Sequence, residues 1–231
     1  MAKRNFLGRI PEQFVESVLL TNQQRQLLYM ACSLLLDYPH ENAEQRWEAV
    51  ARELSALPAE VGDELSAFLT EAAAMPLQKL QAHYVETFDQ RRRCSMNLSY
   101  YSVGDTRQRG VALLAFKEQL AALGFEQERE ELPDHLCVVL EAGALADDVG
   151  HRIVTEMLAS HRDGLEVLRT ALNDIAPMYA HVVTALCMSL PEIDQETIDA
   201  YINLIRTGPP AELVGLGTPL PHVGMQETQR I

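Results

Sequence analysis

Regular alternation of apolar and polar residues, the mark of a half-buried strand, occurs nowhere in this chain of 231 residues. Aromatic side chains are scarce, at 6% with a single Trp, while alanine and leucine dominate, a bias that favours helix. The four cysteines, Cys32, Cys94, Cys137 and Cys187, include no C-x-x-C pair. That excludes a zinc ribbon and a thioredoxin-like motif. Cys32, Cys137 and Cys187 sit in apolar helical stretches, where cysteine is a small buried hydrophobe, so a reducing compartment is expected. Long apolar runs are also missing. After Lys3 and Arg4, the stretch IPEQFVESVLL is broken by Glu12, Gln13, Glu16 and Ser17. A secretory signal or a membrane span, which needs ~20 apolar residues, is not expected, and a cytoplasmic location is. Cations are few: 19 Lys and Arg against 33 Asp and Glu, for a formal charge of −14. Such a surface repels nucleic acid and anionic membrane and suits a basic partner, or solubility alone.

The motifs of the common catalysts are absent as well. There is no HExxH, and His151 and His161 are ten residues apart. Asp134 beside His135 would need several further converging ligands to make a helical metal-dependent hydrolase. No G-x-S-x-G is present. Cys94 follows Arg91, Arg92 and Arg93, cations that lower a thiol pKa, although an incidental loop cysteine is the commoner case. Gly104, Gly110, Gly143 and Gly150 form neither a GxGxxG nor a P-loop. The RRR run reads as a solvated patch. Neither cofactor nor metal is expected.

What remains is helical periodicity. Thr21 to Gln24 reads as a capping box, followed by Leu27, Leu28, Ala31, Leu34 and Leu35 on one face. Further helices are expected over 42–57, from Val61 to Ala72 and from Pro76 to Phe88. Asp89 to Val103 reads as a loop or partly extended segment of ~15 residues, a length that is often functional. A helix opens at Asp105, with Gln108 in the capping position and Gly124 past its end. Another starts at Pro133. Helices at 149–158 and 165–175 separate at Gly164, and two more cover 178–190 and the region of Ile198 to Ile205. The fold expected is all-α, a single domain of roughly nine helices. Residues 21–206 form it, 1–20 are an arm, and the Gly- and Pro-rich 207–231 form a flexible tail.

Two helix entrances are unusually polar. Asp105 and Asp134 are explained by capping alone. Arg107 and Arg109 exceed that need, and at least one is expected to be held by an acid such as Asp89 or Glu141. Gly110 inside a helix costs ~1 kcal/mol against alanine, which close approach of a helix or ligand would explain. Pro133, Asp134 and His135 set an acid and an imidazole beside an apolar surface, a mixture suited to a groove for an amphipathic peptide with a basic end.

ELPDHLCVVLE, from Glu131 to Glu141, resembles the E-x-P-D-H signature of the TorD/DmsD-type redox enzyme maturation chaperones. YVETFDQRRRCSMNLSYYSVGDTRQRG, from Tyr84 to Gly110, is similar to the nitrate reductase delta-subunit branch, and LLYMACSLLLDYP fits the family's opening helix. The resemblance implies a TorD-like helical fold and a NarJ-type molybdenum cofactor assembly chaperone, not an enzyme. Such a protein binds the N-terminal peptide of the nitrate reductase catalytic (alpha) subunit. It keeps the apoenzyme competent for cofactor insertion before membrane attachment. Cofactor biosynthesis proteins are further candidate partners. A chaperone of a related molybdoenzyme, an S-oxide or N-oxide reductase, is the alternative. The resemblance assigns Pro133, Asp134 and His135 to peptide recognition. It adds Tyr84, Phe88, Asp89, Asp105, Arg107, Arg109 and Gly110 from the branch motif. Leu132, Leu140 and Glu141 complete the expected peptide site, and protonation of His135 would be one lever for release.

Overall fold

The computed structural model describes residues 14–128 and 130–211. The expected arm and tail therefore lie in large part outside the described residues. Among those residues there are eleven α-helices and no strand: α1 (Asn22–Leu35), α2 (Ala43–Glu53), α3 (Ala59–Ala73), α4 (Leu77–Tyr84), α5 (Leu98–Val103), α6 (Gln108–Ala122), α7 (Leu136–Leu145), α8 (Asp148–Ser160), α9 (Arg162–Ile175), α10 (Pro177–Met188) and α11 (Gln195–Thr207). None is long and apolar enough to cross a membrane.

The count exceeds nine because of local details. The expected loop at 89–103 holds a 3₁₀ turn, Arg92–Cys94, and the short helix α5. Tyr100 and Tyr101 bury their rings there, so tertiary packing stabilises a helix too short to persist alone. The break between α8 and α9 falls at His161, not at Gly164, which lies inside α9. A Cβ on Gly164 would meet the Tyr101 ring at 2.7 Å; the glycine is there for close approach. The capping box at Thr21 and Gln24 forms as expected. Gly124 has φ of 85°, the left-handed conformation expected past α6.

α1 packs on α7 and α10, α10 lies against α3 and α9, and α11 covers α9. Tyr179 of α10 gathers Phe68, Tyr84 and Phe88 with ring centroids 4.8–6.1 Å apart. Residues 14–20 run across the end of α10. The Val18 amide donates to the Met188 carbonyl at 2.8 Å, and the Ser17 hydroxyl to that of Leu190 at 2.7 Å. Beneath them lies a buried ionic cluster. Glu166 accepts from Arg162 Nε at 2.9 Å and from Arg169 Nε at 2.7 Å. Arg162 also donates to the carbonyls of Cys187 and Val15.

His151 is buried in α8 beside Tyr29, with Nδ1 2.8 Å from the Gly143 carbonyl. Nδ1–H donates there, which leaves Nε2 as an unprotonated acceptor without a partner among the described residues. Burial holds the imidazole pKa below its ordinary value, against the opposing pull of the Gly143 bond. The unfolded chain therefore takes up this proton first, near pH 6.5. Folding stability should fall as pH drops through that value and level off below the folded pKa. Denaturant titrations between pH 5 and 7 should show a slope that His151→Gln reduces by up to one proton. An unchanged slope would refute the assignment.

Candidate functional site

The two polar entrances lie at opposite ends of α5. At its start, Asp134 Oδ1 accepts from Asn97 Nδ2 at 2.9 Å, and Oδ2 accepts from the Ser99 amide at 3.2 Å and hydroxyl at 2.6 Å. The Asp134 carbonyl accepts from Leu98 N, and Leu136 N donates to Met96 O. Asn97 and His135 pair as an isolated antiparallel bridge. Asp134 has no exposed surface; it caps α5 from a distant part of the chain. At the other end α5 stops at Gly104, whose φ of 60° and ψ of −158° only glycine adopts at ease. Asp105 follows and holds two cations, Arg109 at 3.0 Å and Arg92 at 3.6 Å. The Arg109 guanidinium also lies 5.9 Å from the Tyr100 ring centroid. The acid that holds Arg109 is therefore Asp105, one helical turn before it.

The clamped segment forms one wall of an open groove of about 1030 Å³. Arg91, Arg92 and Arg93 stand on its rim with Tyr100, Tyr101 and Asp105. The far wall is α9, with Asp163, Ala171, Asp174 and Ile175, and α11, with Asn203 and Leu204. Residues 208–211 close one edge. Partial burial pushes the Asp163 carboxyl pKa up. Ile175, exposed by 39%, and Leu204 give apolar contact. The groove can take a segment with an apolar face and charges of both signs.

Of the expected site residues, only Asp105 lines this groove. Tyr84, Phe88 and Leu140 are core side chains; the Tyr84 hydroxyl donates to the Leu36 carbonyl at 3.2 Å. Asp89 and Arg107 are exposed and Glu141 is half-buried. His135 is 8% exposed, with Nε2 3.9 Å from Glu131. Leu132 is exposed, and Pro133 lines a separate cleft of about 690 Å³ at the end of α6. A Cβ on Gly110 would meet nothing within 4 Å, so close helix approach does not explain that glycine. α6 starts at Gln108 and α7 at Leu136, each a few residues later than expected. Asp105 and Pro133 precede these helices because the chain first turns to clamp α5. Cys94 is fully buried, and burial pushes its thiol up to about 11 against the weaker pull of Arg91 and Arg93. Both observations disfavour an activated thiol, which the sequence already made the less common case. Asp163, Asp174 and the α11 residues of the groove were not singled out, since nothing in their spacing separates them from an ordinary solvated face.

Comparison with known proteins gives the family. A family model described as nitrate reductase delta subunit matches residues 54–185. The chain belongs to that family. A Bacillus subtilis (strain 168) protein named as a nitrate reductase molybdenum cofactor assembly chaperone is 31% identical over 190 residues, which is 80% of this chain and 100% of that protein. The Escherichia coli (strain K12) chaperone of the same description is 34% identical over 113 residues, 47% of this chain and 48% of that one. A nitrate reductase-like protein of Mycobacterium tuberculosis is 34% identical over 70% of this chain but only 24% of its own length. A redox enzyme maturation protein from Archaeoglobus fulgidus superposes with a TM-score of 0.50 at 20% identity, covering 78% of this chain and 97% of that one, which shows the fold. The Bacillus subtilis and Escherichia coli proteins are named as assembly chaperones, not as catalysts. The family match takes in both ends of α5 and ends before α11 and residues 208–211.

Proposed function

We propose that this chain is an assembly chaperone of respiratory nitrate reductase. It binds the N-terminal peptide of the catalytic subunit and keeps the apoenzyme open for molybdenum cofactor insertion, in the cytoplasm and before membrane attachment. One observation carries the reading: Asp134 of one family motif and Asp105 of the other stand at the two ends of α5, and α5 forms one wall of an open, mixed-polarity groove. In this reading the peptide lays its apolar face on Ile175 and Leu204 and sets a basic end against Asp163 and Asp174. The overall charge of −14 draws a basic segment in. Asp134 acts as a positioning residue, since it reaches the peptide only through α5. Residues 21–206 are the working domain, with 1–20 and 207–231 as its arm and tail.

The hydrolase alternative finds no support in the placement of Asp134 and His135. The aspartate faces Asn97 and Ser99, and the histidine faces Glu131. Among the described residues no group of three or more His, Cys, Asp and Glu is placed to hold a metal ion. Calorimetric titration with a synthetic peptide of the catalytic subunit's N-terminus should show one-to-one binding at micromolar Kd or tighter, about −8 kcal/mol. A scrambled peptide should bind at least tenfold more weakly. Equal binding of both, or none, would reject the reading.

A further inference from the structure

After α11, residues 208–211 stay against the molecule. Gly208 turns the chain with φ of 77°, and residues 208–211 then run along the end of the groove. Asp105 and Ala211 form an isolated parallel bridge. The contact at Gly104 is closer still. A Cβ there would lie 1.8 Å from the Pro210 carbonyl oxygen and 2.8 Å from its carbon. Gly104 is thus required twice, by its own backbone conformation and by the chain that crosses it.

This contact is a main-chain pairing, as is that of Asn97 with His135, in a structure whose described residues are joined mainly by packed helices. Main-chain pairing does not depend on side-chain identity, so the same edge accepts another extended segment equally well. It also involves Asp105, the residue that ties Arg92 and Arg109 together at the groove rim. Few buried side chains hold the strap down: Gly208 and Pro209 are half-buried, and Pro210 and Ala211 are exposed. Such a segment opens at low cost compared with the core.

We infer that Gly208–Ala211 is a displaceable strap that occupies the Gly104–Asp105 edge of the groove and competes with the client segment for it. The inference rests on the peptide-binding reading of the groove. Strap closed, the groove is short and client affinity low. Strap open, the edge is free to pair with the extended flank of the client peptide. Client affinity then equals the intrinsic affinity multiplied by the fraction of chains with the strap open. The strap also supplies a route to release, since its return is intramolecular and needs no further ligand.

The test uses three full-length chains and the synthetic peptide of the catalytic subunit's N-terminus. In the first, Pro209→Gly, Pro210→Ser and Ala211→Gly loosen the strap. In the second, Asp105→Cys with Ala211→Cys allows a disulfide to hold it shut. The third is the unaltered chain. The native cysteines are all buried, so they do not compete for the new bond. The loosened chain should bind the peptide about tenfold more tightly than the unaltered one. The oxidised clamp should bind at least tenfold more weakly than the same chain after reduction, which controls for folding and for loss of the Asp105 ion pairs. Equal affinity of loosened and unaltered chains, or of oxidised and reduced clamp, overturns the strap while leaving the peptide reading intact. Binding by none of the chains, the loosened one included, overturns the peptide reading and the strap with it.

Discussion

Glu166→Ala should destabilise the fold by about 3–5 kcal/mol, the largest loss expected from any single change described here. Glu166 has no exposed surface and lies between Arg162 and Arg169, themselves 2% and 7% exposed. Its two oxygens each take one guanidinium. Removing it leaves two buried cations with no counter-charge among the described residues, where Arg169 Nη2 already lacks a hydrogen-bond partner. The cluster also carries tertiary structure, since Arg162 reaches the carbonyls of Cys187 in α10 and Val15 in the arm. For a chain of this size the change amounts to a fall in Tm of about 10 °C or more. Thermal and urea unfolding of the full chain would measure it. A loss below about 1 kcal/mol would show that the cluster is solvated in solution and does not tie arm to core.

Asp134→Ala is expected to cost about 3 kcal/mol, because three donors in the 97–99 segment lose an acceptor in a site closed to water. The effect should be local as well as global. α5 loses the side-chain cap on Ser99 and keeps only the main-chain bond from Leu98 N to the carbonyl at 134, so amide exchange over 98–103 should rise more than over α1 or α10. Asp134→Asn is the sharper control. One of its two polar ends must be an NH₂ group; toward Ser99 it meets the main-chain amide, donor against donor, and toward Asn97 it requires that side-chain amide to flip. It should therefore fall between wild type and alanine. The change should also weaken client binding through a disordered groove wall, whereas an unchanged stability with lost binding would make Asp134 a direct contact.

The helices themselves were legible in the sequence, because apolar spacing and caps are local. Thr21 with Gln24, Gly124 and Pro39 mark boundaries by rules that need no tertiary partner. α5 was not legible. Its six residues carry no period, and it exists because Tyr101 packs over Gly164 and Asp134 caps it from 35 residues away. The same cause sets most of the expected site residues apart from the groove. Asp134 and Tyr84 were recognised through a family motif, and a motif records that a residue matters, not whether it touches a ligand or holds a wall. The groove residues of α9 and α11 have no motif and lie where two distant helices happen to meet the clamped segment. The strap was hidden for a related reason: Gly208-Pro209-Pro210 has the composition of a loose tail, and main-chain pairing leaves no mark in composition.

Hydrogen–deuterium exchange of the full chain, with and without the catalytic subunit's N-terminal peptide, tests the central claim most directly. Peptide binding in the groove should slow exchange at 91–105, 171–175 and 200–207 together. Protection confined to the outer face of α6, around the exposed Val111 and Leu114, or spread evenly over the chain, would contradict it.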